Sequence, residues 1–146
     1  MFVIDTNVLI YAADRDSPYH EVCRERLERW RRQPAPTFLT WSICYEFLRV
    51  TSHPRIFHRP WPVADGWRFL DAVLAPAGVA LLEPTDRHRA VLAQTLTELP
   101  DLQGNLVHDL HIAVLMREHG VSRIVTRDTD FHLFQFLTVL DPLREP

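Results

Sequence analysis

Residues 2–13 read Phe2-Val3-Ile4-Asp5-Thr6-Asn7-Val8-Leu9-Ile10-Tyr11-Ala12-Ala13. Three β-forming apolar residues stop at an aspartate, and the run after it predicts a brief helix over Thr6 to Ala13. A strand that passes straight into a helix is the first half of a crossover unit, and such units build parallel sheets. The alternation continues along the chain. Thr37 to Leu39, Val79 to Leu82, Ile124 to Thr126 and Leu137 to Leu140 read as further short strands. Ser17-Pro18 reads as an N-cap and first-turn pair for a helix running to about Arg32. Thr40 or Ser42 starts the helix that carries Ile43 to Val50, and Val63 to Leu74 reads as the next. Thr85 caps a helix to about Leu99, Asn105 caps another that ends at Gly120, and a short turn or helix falls at Phe131 to Phe134. The expected fold is α/β, a three-layer α/β/α arrangement around a mostly parallel sheet. Pro or Gly punctuates Arg32 to Pro36, His53 to Pro62 and Pro100 to Gly104, but none of these stretches divides residues 1–146 into two domains.

The length of 146 residues suits one domain, and 47% hydrophobic with 24% charged residues excludes disordered, collagen-like and disulfide-scaffold classes. A formal charge of −3 gives no global basic field, so nucleic-acid binding requires a local patch. All 16 basic residues are arginine. The missing lysine excludes the GxxxxGK[ST] phosphate loop, Schiff-base chemistry and the lysine that some phosphotransfer sites set beside an aspartate. Cys23 and Cys44 lack metal-ligand spacing and read as free thiols. Asp5 interrupts the first apolar stretch too early for a signal peptide, and no run of 18 apolar residues exists. A cytoplasmic protein without a membrane-spanning segment is expected.

Four acids carry the chemistry. In an open parallel sheet ligands bind beyond the carboxyl ends of the strands, at a switch in strand order. Asp5 follows the strand Phe2-Val3-Ile4, and Asp128 follows Ile124-Val125-Thr126 with one residue between. Two further carboxylates lie on apolar helix stripes. Positions 43, 46, 47 and 50 read Ile43, Glu46, Phe47, Val50, and positions 106, 109, 110, 113 and 116 read Leu106, Asp109, Leu110, Ala113, Met116. Inward carboxylates need a cation, and an all-oxygen cage suits a hard divalent ion such as Mg²⁺. Metal-dependent phosphodiester hydrolysis is the chemistry that such a cage serves. The competing explanation is that each acid separately caps a turn or reaches solvent.

At these residues the sequence resembles the PIN-domain family, and within it the VapC-type toxins of bacterial toxin-antitoxin pairs. The resemblance is carried by Val3 to Ala12, by Glu46-Phe47-Leu48-Arg49-Val50 with His53-Pro54-Arg55, by Val107 to Ala113 running to Glu118-His119-Gly120, and by Thr126-Arg127-Asp128-Thr129-Asp130-Phe131. It implies a five-stranded parallel sheet, a single PIN domain over residues 1–146, dependence on Mg²⁺ (with Mn²⁺ as a substitute) and endoribonuclease activity. It also implies an acidic quartet of Asp5, Glu46, Asp109 and Asp128 that holds metal directly or through water. Asp130 becomes an additional acid near the metal, while Asn7, Thr126 and Thr6 become supports for the carboxylates. The implied partners are RNA, a VapB-type antitoxin and a second toxin copy in a homodimer or a toxin-antitoxin hetero-oligomer. A non-catalytic RNA- or partner-binding module, or a nuclease outside a toxin-antitoxin pair, are the alternatives.

Arg49, one turn from Glu46, and Arg127, beside Asp128, are the candidate substrate contacts. Arg24, Arg26, Arg29, Arg31 and Arg32 alternate with Glu21, Glu25 and Glu28 at helical spacing, which reads as a self-paired solvated face. His108 and His111 flank Asp109 without a zinc-binding spacing, so His108 is read as a modulator of Asp109 or a substrate contact. Trp30, Trp41, Trp61, Trp67, Phe134 and Phe136 read chiefly as core or dimer-contact residues, with Trp61 the candidate for base stacking.

Overall fold

All three side chains of the first strand, β1 (Phe2–Ile4), are buried. Successive side chains of a strand point to opposite faces, so this pattern requires helices on both sides of the sheet. The computed structural model describes residues 1–144 and supplies them. The remaining strands are β2 (Thr37–Thr40), β3 (Val79–Leu82), β4 (Arg123–Val125) and β5 (Thr138–Leu140). The helices are α1 (Thr6–Ala13), α2 (His20–Arg32), α3 (Trp41–Thr51), α4 (Val63–Leu74), α5 (His88–Glu98) and α6 (Leu106–Glu118), with a 3₁₀ turn at Thr129–Leu133.

The sheet runs β3-β2-β1-β4-β5, and every strand pairing is parallel. The chain builds outward from β1 to β2 and β3, then returns to the other side of β1 for β4 and β5. The switch in strand order therefore falls between β1 and β4, which pair through Val3 with Ile124 and Ile4 with Val125. This is where such folds open a crevice.

Several boundaries differ from the sequence expectation, each for a local reason. Helix α2 begins at His20, because the Ser17 hydroxyl accepts from the Tyr19 N–H and closes a separate turn first. Likewise α5 begins at His88, since the Thr85 hydroxyl accepts from the Arg87 N–H and donates to Glu118. Asn105 precedes α6 but makes no side-chain cap bond. Leu137 donates its N–H to Phe134 and not to a strand, so β5 starts at Thr138. β4 ends at Val125, one residue before Thr126, and the turn expected at Phe131 to Phe134 begins at Thr129.

Phe47, Phe131 and Phe134 are the bulkiest fully buried side chains. Trp30 lies edge-on to Phe2, and Trp61 packs among Phe47, Phe57 and Phe69 while remaining partly exposed. Of the two expected roles, core or dimer contact, Trp41 and Trp67 do not take the first, for both are exposed. On α2, Glu21 pairs with Arg24 at 3.0 Å and Glu28 with Arg31 at 2.6 Å, so these charges neutralise one another along the helix. Cys23 and Cys44 are free and buried, and burial pushes both thiols up to about 11. Among the described residues no helix is long and apolar enough to cross a membrane.

Glu118 fastens α6 to the segment that leads into α5. Its side chain is fully enclosed, yet it accepts from the Thr85 N–H at 2.9 Å and the Thr85 hydroxyl at 2.7 Å, with His88 Nδ1 at 2.6 Å from the second oxygen. Burial acts to raise its pKa, but the bonds from His88 and Thr85 outweigh it and hold the carboxyl below its ordinary value. Glu118→Ala leaves those donors unmatched in the interior and should cost about 2–4 kcal/mol, read as a lowered urea midpoint. A carboxyl with a depressed folded pKa stabilises above its unfolded value and loses that contribution as pH falls through the folded value. The gap between wild type and variant should thus be full at pH 7 and shrink below about pH 4.

Candidate active site

Asp5 stands at the end of β1 as the N-cap of α1, where its Oδ1 accepts from the Thr6 N–H at 2.7 Å. Its other oxygen accepts from the Asn7 amide at 2.7 Å and from the Thr126 hydroxyl at 2.6 Å. Thr126 follows the neighbouring strand β4, so the parallel pairing of β1 and β4 brings together residues 121 positions apart. The Thr126 oxygen also accepts from the Asn7 amide at 2.8 Å and from the Asp128 N–H at 2.9 Å. A hydroxyl has one proton to give and two lone pairs to offer, so Thr126 is fully used. Asn7 spends both amide protons on Asp5 and Thr126 and accepts from the Arg127 N–H with its carbonyl. This closed network leaves Asp5 no freedom to rotate.

A cavity of about 260 Å³ opens above it, lined by Asp5, Thr6, Asn7, Glu46, Asp109 and Asp128, together with Ile10, Ser42, His108 and Ile112. The carboxylates thus arrive from the end of β1, from α3, from the first turn of α6 and from the turn after β4. One oxygen from each of Asp109, Asp128 and Asp130 lies within 4.8 Å of the others. Asp128 caps the 3₁₀ turn by accepting from the Asp130 N–H at 2.9 Å, which fixes the relative positions of these two acids.

Burial and mutual repulsion set the electrostatics. Desolvation pushes Asp5 up to about 6, against the lowering effect of its bonds from Thr126 and Thr6, and the charges of Asp128 and Glu46 add to the rise. Asp109 is pushed up to about 7 by burial first and then by Asp128, Asp5 and Asp130. Glu46 behaves differently. Arg49 grips both of its oxygens, at 2.6 and 3.0 Å, and holds its carboxyl below the ordinary value. The guanidinium expected to meet substrate is therefore already engaged by Glu46. Arg127 also points elsewhere, lying over the Tyr19 ring at 4.5 Å and lining a separate cavity of about 630 Å³ on the far side of Asp128.

Thr126 sits behind the carboxylates and Asp130 at the exposed rim. The two histidines around Asp109 separate: His108 lines the cavity, and His111 turns toward His88 with ring centroids 6.0 Å apart. Ser42 was not foreseen as a cavity residue. The signal for it existed, since it lies one helical turn before Glu46 on the same stripe.

An all-oxygen donor set with two carboxyls that resist ionisation is suited to a hard divalent cation, whose charge replaces the missing solvation. The chain is also similar to known proteins. A PIN domain family profile matches residues 2–137. Ribonuclease VapC37 of Mycobacterium tuberculosis is 35% identical over 136 residues, covering 92% of each chain. The VapC ribonuclease Mb2897 of Mycobacterium bovis is 32% identical over 143 residues, covering 98% of this chain and 96% of that one. The crystal structure of VapBC-1 from nontypeable Haemophilus influenzae aligns with a TM-score of 0.66 at 17% identity over 98% of each chain.

A carboxyl whose folded pKa lies above its unfolded value destabilises the fold wherever it is forced to ionise. Metal-free protein should therefore gain stability as pH falls from 8 to 5, through the values near 7 and 6 for Asp109 and Asp5. Thermal unfolding at the two pH values checks this, and Asp109→Asn should show a smaller gain. Adding Mn²⁺ should raise the unfolding temperature more at pH 8 than at pH 5.

Proposed function

The chain belongs to the PIN-domain family, and we propose that it is a divalent-metal-dependent endoribonuclease, the toxin of a VapBC-type toxin-antitoxin pair. The observation that carries this reading is the convergence of Asp5, Glu46, Asp109 and Asp128 on one cavity at the switch between β1 and β4. Mg²⁺ is the proposed ion, with Mn²⁺ able to substitute, because Mg²⁺ binds through few carboxylates and keeps sites for water and phosphate. A bound ion would lower the pKa of a water and offset the charge that builds on the phosphodiester.

The protein residues have separate tasks in this reading. Asp5, Asp109 and Asp128 hold the ion, with Asp130 at the rim as an accessory acid. Thr126, Asn7 and Thr6 keep the Asp5 carboxylate in one orientation before substrate arrives, which removes a reorganisation cost from the reaction. Glu46 stays ionised through its pairing with Arg49 and supplies negative charge at the α3 wall. Arg49, exposed while it pairs with Glu46, is the proposed phosphate contact at the α3 wall, and Arg127 lines the separate cavity on the far side of Asp128. RNA is the substrate and a VapB-type antitoxin the partner, by similarity to relatives named as VapC ribonucleases and to a VapBC structure. The activity is placed in the cytoplasm, with the protein acting as a homodimer or held in a hetero-oligomer with its antitoxin.

Incubation of purified protein with total RNA, with and without Mg²⁺, followed by sequencing of the ends, tests the reading. Discrete cuts bearing a 5′-phosphate, present only with metal and absent in Asp5→Asn, are expected. RNA left intact with Mg²⁺, or cut equally well by Asp5→Asn, overturns it. Thr126→Val keeps the shape of the side chain but removes the hydroxyl, and should lower the cleavage rate about 10- to 100-fold while the protein remains folded.

A further inference from the structure

The outer surface of α3 carries two large rings, in line with Arg49, that none of the roles above uses. Trp41, Tyr45 and Arg49 recur at intervals of four, so they stack one above another on a single helical face, and all three are exposed. The adjacent stripe on the same helix consists of Ser42 and Glu46, which line the acidic cavity. Each member of the outer stripe is thus the immediate sequence neighbour of a cavity residue or lies one turn from it. Tyr45 is 69% exposed and Trp41 41% exposed, which is unusual for two large rings that lie in contact, their centroids 6.4 Å apart and planes at 52°. The indole is held in place, since its Nε1 donates to Glu83 at 3.1 Å. Arg49 at the end of the stripe is fixed by Glu46.

We propose that Trp41 and Tyr45 form a stacking platform for unpaired bases of the RNA, beside the cavity in which its backbone is cut. This deepens the ribonuclease reading and rests on it. A nucleotide needs an aromatic face for its base and a donor for its phosphate, and the stripe presents rings and guanidinium in a row. Bases in a duplex have both faces covered by neighbours, so the platform selects strands or loops whose bases are free. The chain's overall negative charge gives no general attraction for RNA, and a pre-positioned pair of rings supplies a local one.

The test uses the intact chain carrying Asp5→Asn, so that RNA binds without being cut, with Mg²⁺ and a labelled unstructured oligoribonucleotide taken from around a mapped cleavage position. Trp41→Ala and Tyr45→Ala should each weaken binding about tenfold, whereas Tyr45→Phe, which keeps the ring, should bind as the parent does. Removing the bases from the oligonucleotide next to the cut should erase the difference between Tyr45→Ala and the parent. Equal affinities for parent and alanine variants overturn the platform, as does a loss that persists on the abasic strand. A change in oligomeric mass by light scattering in Tyr45→Ala, with RNA affinity kept, would assign the stripe to a protein contact and also overturn it. If the chain with Asp5 intact cuts no RNA, the ribonuclease reading fails and the platform with it. If it cuts RNA and the alanine variants bind and cut equally well, only the platform fails.

Discussion

A single hydroxyl holds the two halves of the site in register. Thr126 gives its proton to Asp5 and takes one each from Asn7 and from the Asp128 backbone, and so ties the ends of β1 and β4 together. Strand pairing alone would bring these ends close, but it would not decide which way a carboxylate faces. The hydroxyl decides it, because every donor and acceptor in the group is satisfied in one arrangement. Asp5 can then be nearly buried and still present a fixed oxygen pair to the cavity.

Around that fixed point the other acids are held under electrical stress of different degrees. Asp109 is pushed up to about 7 by burial first and then by the carboxylates around it. Glu46, at the opposite wall, is relieved by Arg49 and pulled the other way. The cavity therefore has one side that resists charging and one that is charged already. A cation entering it meets its strongest gain at the resistant side, where it removes repulsion as well as adding attraction.

Much of this was legible in the sequence, because strands and helices in a parallel fold announce themselves by short apolar runs and by periodicity. Helix α1 and helix α4 begin and end where the residues predict, and the inward tilt of Glu46 and Asp109 follows from their positions on apolar stripes. Side chains that could serve two purposes were harder to read. Ser17 and Thr85 carry the signature of a helix cap, but the first closes a preceding turn and the second reaches across to Glu118. Glu118 itself looks like an ordinary helix-end acid, and its burial depends on packing between α5 and α6 that no local pattern reveals. The pairing of Arg49 with Glu46 was available from their spacing, but it competes with a reach toward phosphate that the spacing allows equally well. Trp41 had two readings, core or dimer contact, and its exposure removes only the first.

The order of strands in the sheet has a consequence for the life of the chain. Asp5 precedes Thr126 by 121 positions, yet the two must meet across one strand pair. A nascent polypeptide therefore carries no working centre until β4 and the turn after it have been translated. A cell that makes an RNA-cutting enzyme gains from this arrangement an interval in which a partner can already be waiting.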